Sequence, residues 1–211
     1  MKIIYLDRVD STHKYLKEYI KKNSYNEFTA VITNMQTEGI GSRNNKWVGK
    51  KGNLFFSFVM HKDSLPLDLP VNSMSIYFSY LFKEVLEKHG SKVWIKWPND
   101  FYINNKKIGG TITNFNGKLI YCGIGLNLLD FEKDFGCLDI EFKQEKYLNQ
   151  YFSSISAKHT WKQIFSKYSI EFNKSRIFTA TVDNKKISLQ NAVLNEDGSI
   201  SLDNKKVFSL R

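Results

Sequence analysis

The sequence predicts an α/β fold, with a mixed, largely antiparallel sheet flanked by helices and a small all-β unit at the C-terminal end. Three observations carry the prediction. Apolar residues recur at i, i+3, i+4 over 71–88, the period of a helix with one buried face. Several β-branched and aromatic runs lie between turn residues, and Asn116-Gly117 joins two of them as a hairpin signal. From about Arg176 the pattern changes to short strands separated by Asp183-Asn184, Asp197-Gly198 and Asp203-Asn204. The expected organisation is a main domain over 1–173 and a small β domain over 174–211. The small unit has too few residues to bury much surface alone and should pack on the main one.

The elements follow in order. KIIYL (2–6) reads as a strand, and Ser11 as the N-cap of a helix with Tyr15, Leu16, Tyr19 and Ile20 on one face. FTAVITN (28–34) is a strand. Residues 35–52, MQTEGIGSRNNKWVGKKG, read as one long glycine-containing loop, a length that is usually functional or disordered. NLFFSFVM (53–60) is a strand, and Gly90 caps the helix over 71–88. VWIKW (93–97), KIGGTITNF (107–115) and LIYCGIGL (119–126) are strands. Residues 128–143 are irregular, and helices over 144–156 and 160–173 close the main domain. NNKK (104–107), DNKK (183–186) and DNKK (203–206) read as hairpin tips, which would make Lys106 and Lys107 solvated tip lysines.

Composition narrows the function classes. Hydrophobic residues are 42% and aromatics 15% of 211, which excludes a disordered chain. The two cysteines, Cys122 and Cys137, have no metal-like spacing, so a reducing compartment is expected rather than a disulfide scaffold. The N-terminus carries Asp7 and Asp10 and no apolar run of signal length, and no window reaches a membrane span. A cytoplasmic protein with no membrane partner is expected. The net charge of +10 favours polyanions or acidic proteins without choosing between them.

Candidate chemistry sits in a few stretches. Gly39, Gly41, Gly49 and Gly52, with Arg43, Lys46, Lys50 and Lys51, would let backbone N–H groups and cations converge on an anion, or would form a basic surface loop. The loop fits neither a Walker loop nor a dinucleotide fingerprint. Lys96 shares a strand face with Trp94, and Pro98 ends the ladder. It is either a fixed ammonium in a cleft or a lysine snorkelling beside a tryptophan. Asn99 and Asp100 would satisfy their own turn or serve the site, with Asp100 the candidate carboxylate for Mg²⁺ carried by a nucleotide. Glycines in YCGIGLN (121–127) mark either a ligand's close approach or a bulge.

These stretches in this order resemble the bacterial biotin protein ligases, also called biotin–acetyl-CoA-carboxylase ligases. V-D-S-T-H (9–13) is similar to the family's D-S-T-N. Q-T-E-G-I-G-S-R-N-N-K-W (36–47) is similar to its Q-x-x-G-R-G-R-x-x-R-x-W loop. K-W-P-N-D (96–100), K-K-I-G-G (106–110) and G-I-G-L-N (123–127) match its signatures, and the final F-S-L-R resembles the end of its C-terminal domain. The resemblance implies a sheet like that of class II aminoacyl-tRNA synthetases and an SH3-like small domain. It also implies attachment of biotin to a lysine of a biotin carboxyl carrier protein, through biotinyl-5′-adenylate made from Mg²⁺-ATP.

By the resemblance, Lys96 and Arg43 are catalytic. Ser11, Thr12, His13, Gln36, Gly39, Ile40, Gly41, Ser42, Lys96 and Gly110 contact biotin. Arg43, Trp47, Asn99, Lys107 and Asn127 contact ATP, with Trp47 also a candidate wall for the thiophane ring. Two departures stand out. Ile40, Ser42 and Asn45 occupy positions where the family carries arginines, which predicts weaker adenylate retention unless Arg43, Lys46 and Lys50 substitute. His13 stands where asparagine is usual. Because Met1 falls at the start of the catalytic region, the DNA-repressor role of some relatives is expected to be absent. Pairing as a homodimer and acidic carrier domains as partners are further implications. Rival readings are a lipoate–protein ligase, whose R-R-x-S-G-G-G loop is absent, and a basic nucleic-acid-binding module, for which the small domain offers only Phe178 and Phe208.

Overall fold

A computed structural model of the chain describes residues 1–41, 46–129, 135–182, 185–202 and 205–208. Strand β1 (Lys2–Leu6) leads to helix α1 (Thr12–Asn23), whose first turn is capped by the Ser11 hydroxyl. Then come β2 (Thr29–Thr33), β3 (Gln36–Ile40), β4 (Lys46–Gly49) and β5 (Leu54–His61). Helix α2 (Met74–Lys88) follows, then β6 (Trp94–Lys96), β7 (Asp100–Ile103), β8 (Lys106–Phe115) and β9 (Leu119–Leu126). Helices α3 (Gln144–Ser156) and α4 (Trp161–Glu171) precede the small strands β10 (Thr179–Val182), β11 (Lys185–Ser188), β12 (Val193–Leu194), β13 (Ile200–Leu202) and β14 (Lys205–Val207).

Seven strands form the main sheet in the order β1-β2-β5-β9-β8-β7-β6. Only β1 and β2 run parallel; every other neighbouring pair is antiparallel. The mixed sheet expected from the sequence is therefore present. Two expectations fail. Residues 35–52 are not one loop, because β3 and β4 pair across it as a hairpin. Gly39 and Gly49 serve that pairing. A Cβ on Gly39 would lie 2.7 Å from the Trp47 carbonyl oxygen, and one on Gly49 would lie 2.4 Å from the Gln36 carbonyl oxygen. They permit close strand approach rather than building an anion nest. Lys107 is not a tip residue either: it is paired in β8 opposite Tyr102, whereas Lys106, exposed, closes the Asn104-Asn105 turn as expected.

Alternation along the strands sets the two faces of the sheet. On β5 and β9, Phe56, Phe58, Ile120, Cys122, Ile124 and Leu126 point to the main core beneath α2, α3 and α4. Phe58 packs edge-on against Phe78 and Tyr151, with ring centroids 5.2 and 6.0 Å away. The opposite face is covered only in part. Leu16 and Ile20 of α1 sit there on Val31, Val59, Leu119 and Tyr121. Beyond α1 that face carries Ser57, Gly123 and Gly125, small residues, with Phe55 beside Gly125.

The edge strand β6 is held from outside the sheet. The Ile95 N–H donates to Glu171 Oε1 at 2.7 Å, and the Trp97 N–H donates to Ser175 Oγ at 3.0 Å. Glu171 is itself bound by the Lys83 ammonium at 2.8 Å. Burial opposes charge on Lys83, but Glu171 and Glu87 outweigh it and raise its pKa. Replacing Glu171 with leucine should strand the Ile95 N–H and remove a buried carboxylate from Lys83, costing about 3 kcal/mol of stability. A denaturant midpoint equal to that of the wild type would refute this.

The small strands join the same core through Ala180, Leu189, Ala192 and Ile200. The turn at 195–198 is plugged into the main body. Trp97 Nε1 donates to the Gly198 carbonyl at 3.0 Å, Trp161 Nε1 to that of Glu196 at 2.7 Å, and the Ser73 hydroxyl to that of Asp197. The tryptophan of K-W-P-N-D is therefore an anchor, fully buried, across a cis bond from Pro98. Among the described residues no helix is long and apolar enough to cross a membrane.

Candidate active site

On the half-open face of the sheet, cross-strand register lines up the sequence motifs. One row runs Phe55, Gly125, Gly110, Asp100, Lys96 across five strands. The neighbouring row runs Ser57, Gly123, Ile112. K-W-P-N-D, K-I-G-G and G-I-G-L-N thus share one stretch of surface. The glycines lower its floor, and the β3–β4 hairpin roofs it. A Cβ on Gly125 would lie 3.2 Å from the Trp47 indole, and one on Gly123 would lie 3.1 Å from Ser57 Oγ and 3.2 Å from His13 Nδ1. The ladder is unbroken through both glycines on either side, so they mark close approach and not a bulge. A cavity of about 230 Å³ lies between floor and roof.

The N-terminus of α1 supplies one end of the cavity. Gln36 Oε1 accepts from the Thr12 N–H at 2.8 Å and from the Thr12 hydroxyl at 3.0 Å, which fixes the amide and turns its NH₂ the other way. The Thr12 hydroxyl proton is thereby used, so in the 2.9 Å contact with Thr12 the Ser57 hydroxyl is the donor. Ser57 Oγ keeps lone pairs for an incoming N–H. Ser11 Oγ accepts from the Lys14 N–H as the helix cap and keeps its own proton to donate.

His13 completes this end. Its Nε2 lies 2.6 Å from Asn114 Oδ1. Burial is the main cause that lowers its pKa to about 4; the Asn114 bond works against this and the nearby Lys17 charge adds to it. The ring is neutral at pH 7. Between pH 7 and pH 5 the unfolded chain takes up a proton at this histidine that the folded chain refuses, so folding should lose about 2 kcal/mol from this site. The His13→Asn variant lacks that loss. Equal pH dependence of the two melting curves would count against the assignment.

The other end of the cavity is charged. Lys107 Nζ lies 2.6 Å from Asp100 Oδ1, and Lys96 Nζ lies 3.7 Å from Asp100 Oδ2. Lys107 also stands 5.5 Å from the centre of the Trp47 ring. Lys96 is buried, 7% exposed. Asn99 donates from Nδ2 to the Thr111 carbonyl, and its Oδ1 has no partner among the described residues. A cavity with fixed polar groups at one end and the Lys107–Asp100 pair, backed by Lys96, at the other suits a ligand with a polar head, an apolar middle and an anionic end.

A family model described as the biotin/lipoate A/B protein ligase family matches residues 5–127, more than half of the chain. The chain belongs to this family. It is similar to the bifunctional ligase/repressor BirA of Escherichia coli, with 32% identity over 127 residues. That match covers 57% of this chain and 38% of the relative, so the chain spans well under half the length of that curated protein. Among solved structures it is similar to the biotin acetyl coenzyme A carboxylase synthetase from Helicobacter pylori with bound biotinylated ATP. There the TM-score is 0.93 and the identity 36%, covering 98% of this chain and 99% of the other. A biotin protein ligase from Aquifex aeolicus in complex with biotin and ATP shares the fold, with a TM-score of 0.73 and 24% identity over 100% of this chain and 98% of the other.

In this ligase-family chain the fold gathers most of the residues singled out from the sequence. Ser11, Thr12, His13, Gln36, Ile40, Gly41, Trp47, Asn99, Asp100, Lys107 and Gly110 line the cavity. Lys96 is not among the lining residues; it stands behind Asp100 at the end of the row. Gly39 supports the roof. Asn127 is also off the cavity, with its N–H on the Ile108 carbonyl and its amide on that of Gly136. Ser42, Arg43 and Asn45 lie outside the described residues. Sequence reasoning missed Ser57 and Asn114. A serine amid N-L-F-F-S-F-V-M was the one available signal for the first. The second has none, because its role depends on a helix more than ninety residues earlier.

Asp100, from the sequence a candidate carboxylate for Mg²⁺ carried by a nucleotide, faces two ammonium groups. A dication there would meet both positive charges. No cluster of three metal-ligating side chains occurs among the described residues.

Proposed function

We propose that the chain joins biotin to ATP as biotinyl-5′-adenylate and then passes the biotinyl group to a lysine of a carrier domain. The observation that carries this reading is the polarity fixed at the α1 end of the cavity. Ser57 Oγ and His13 Nδ1 accept there, while the Gln36 amide and the Ser11 hydroxyl donate. A cyclic urea offers two N–H donors and one carbonyl acceptor, which such a set complements. A dithiolane offers none of these groups and would leave buried polar atoms unpaired. Biotin is thereby favoured over lipoate.

In the first step an oxygen of the biotin carboxylate attacks the α-phosphorus of ATP, and the bond to pyrophosphate breaks. Two anions must approach, so cations fixed at the charged end lower the barrier. Lys96 and Lys107 take that role, with Asp100 holding both in place. Mg²⁺ would enter with the triphosphate and neutralise part of its charge. In the second step a lysine amine attacks the biotinyl carbonyl, AMP leaves, and the amine's proton is released. Trp47 and the hairpin shield the anhydride from water.

The carrier is read as a carboxylase subunit, supported by the name of the Helicobacter pylori neighbour and by the net charge of +10, which suits an acidic partner. The two-domain reading over 1–173 and 174–211 is supported by the change in strand length after α4. Two free cysteines support the cytoplasm as the compartment. The deciding experiment measures pyrophosphate release from ATP with biotin, with lipoate and with neither. Release with biotin alone is expected. Release with lipoate alone would overturn the choice, and release with neither acid would overturn the ligase reading.

A further inference from the structure

We propose that His13 recognises the ligand through Nδ1, which accepts an N–H of the ureido ring, and that Asn114 and Lys17 are positioning residues that set the tautomer for this. The inference rests on the biotin reading above and adds a role for three side chains.

The geometry leaves one arrangement of protons. Lys17 Nζ lies 2.9 Å from Asn114 Oδ1. An ammonium only donates, so the Asn114 atom it meets is the carbonyl oxygen. The same oxygen lies 2.6 Å from His13 Nε2. An oxygen of that kind only accepts, so Nε2 carries the proton, and in a neutral ring Nδ1 carries a lone pair. His13 is 5% exposed, and its Nδ1 has no partner among the described residues. A Cβ on Gly123 would lie 3.2 Å from this atom, which places it over the cavity floor. Ser57 Oγ, 3.1 Å from the same point, is also an acceptor, because its proton goes to Thr12. Two acceptors flank the floor, as the two N–H groups of a cyclic urea require.

The neutral ring is maintained by burial and by the Lys17 charge, both of which disfavour imidazolium. A protonated ring would present an N–H to the ligand's N–H. The opposite tautomer would do the same. Lys17 and Asn114 therefore act on recognition although neither lines the cavity.

The test is calorimetric binding of biotin and of a ureido-N-methylated biotin to the full chain, with nitrogen NMR of the His13 ring in the ligand-free wild type at pH 7. His13→Leu should weaken biotin about ten-fold, the loss of one buried hydrogen bond. His13→Asn can set an amide oxygen near the Nδ1 position and should recover most of that loss. With the N-methylated ligand that removes the matching N–H, His13→Leu should cost nothing further. Asn114→Leu should weaken biotin a few-fold and release the Nε2–H tautomer. Biotin binding by His13→Leu equal to that of the wild type overturns the proposal. So does a ring resonance showing Nδ1 protonated, a measurement that needs no variant to fold. If the wild type binds no biotin, the functional reading fails and this inference fails with it.

Discussion

Replacing Lys96 with alanine should lower biotin-dependent pyrophosphate release by at least about a hundred-fold, while the protein stays folded. Lys96 closes the row Phe55, Gly125, Gly110, Asp100, Lys96, and its buried ammonium sits 3.7 Å from Asp100, the carboxylate at the charged end of the cavity. A fixed cation there stabilises charge that builds on phosphate oxygens in the transition state, and such donors are worth about 3 kcal/mol each. The fold should survive because Asp100 keeps Lys107 at 2.6 Å, so no buried carboxylate is orphaned. The melting temperature should move by no more than about 5 °C. Normal turnover in the variant would sink the assignment. Loss of turnover together with a collapsed melting temperature would show that Lys96 is structural, the snorkelling role that its strand position also allows.

Gly123→Val should abolish biotin binding, weakening it by at least about a hundred-fold, or roughly 2.7 kcal/mol. The new side chain would start 3.1 Å from Ser57 Oγ and 3.2 Å from both His13 Nδ1 and Ile112 Cγ1, and its two methyl groups would rise from the cavity floor between the acceptors. The strand itself should tolerate valine, which suits a central β position, so overpacking should cost stability only about 1–3 kcal/mol. Calorimetry separates the two effects. A folded variant that binds biotin as tightly as the wild type would show that the ligand lies elsewhere. Gly109 makes a useful contrast. Its Cβ would strike the Gly125 carbonyl oxygen at 2.5 Å, so substitution there tests the ladder and not the cavity.

Much of this site was legible in one dimension because its chemistry is carried by short, local patterns. Ser11 caps a helix by its type and position, and the helix then places Thr12 and His13. Glycines at 110, 123 and 125 break strand propensity and so call for an explanation in any strand. Lys96 after an apolar strand did the same. The hairpin within 35–52 was missed because its strands are short, glycine-rich and charged, and their alternation is masked. The partners of Asp100 were not legible because they depend on register: Lys107 reaches it only through the β7–β8 hairpin, which sets Asp100 opposite Gly110.

The sequence by itself determined most of the elements outside 35–52, their order and the residue types available for chemistry, since these follow from period, turn residues and caps, all properties of neighbours in the chain. Tertiary structure alone decided that five residues from five strands form one row, that an indole roofs a glycine floor, and that Lys17 and Asn114 choose which nitrogen of His13 holds the proton. The reason is that cross-strand register and hydrogen-bond direction are relations between distant residues. They acquire values only when burial of the core fixes which strands meet and in what alignment.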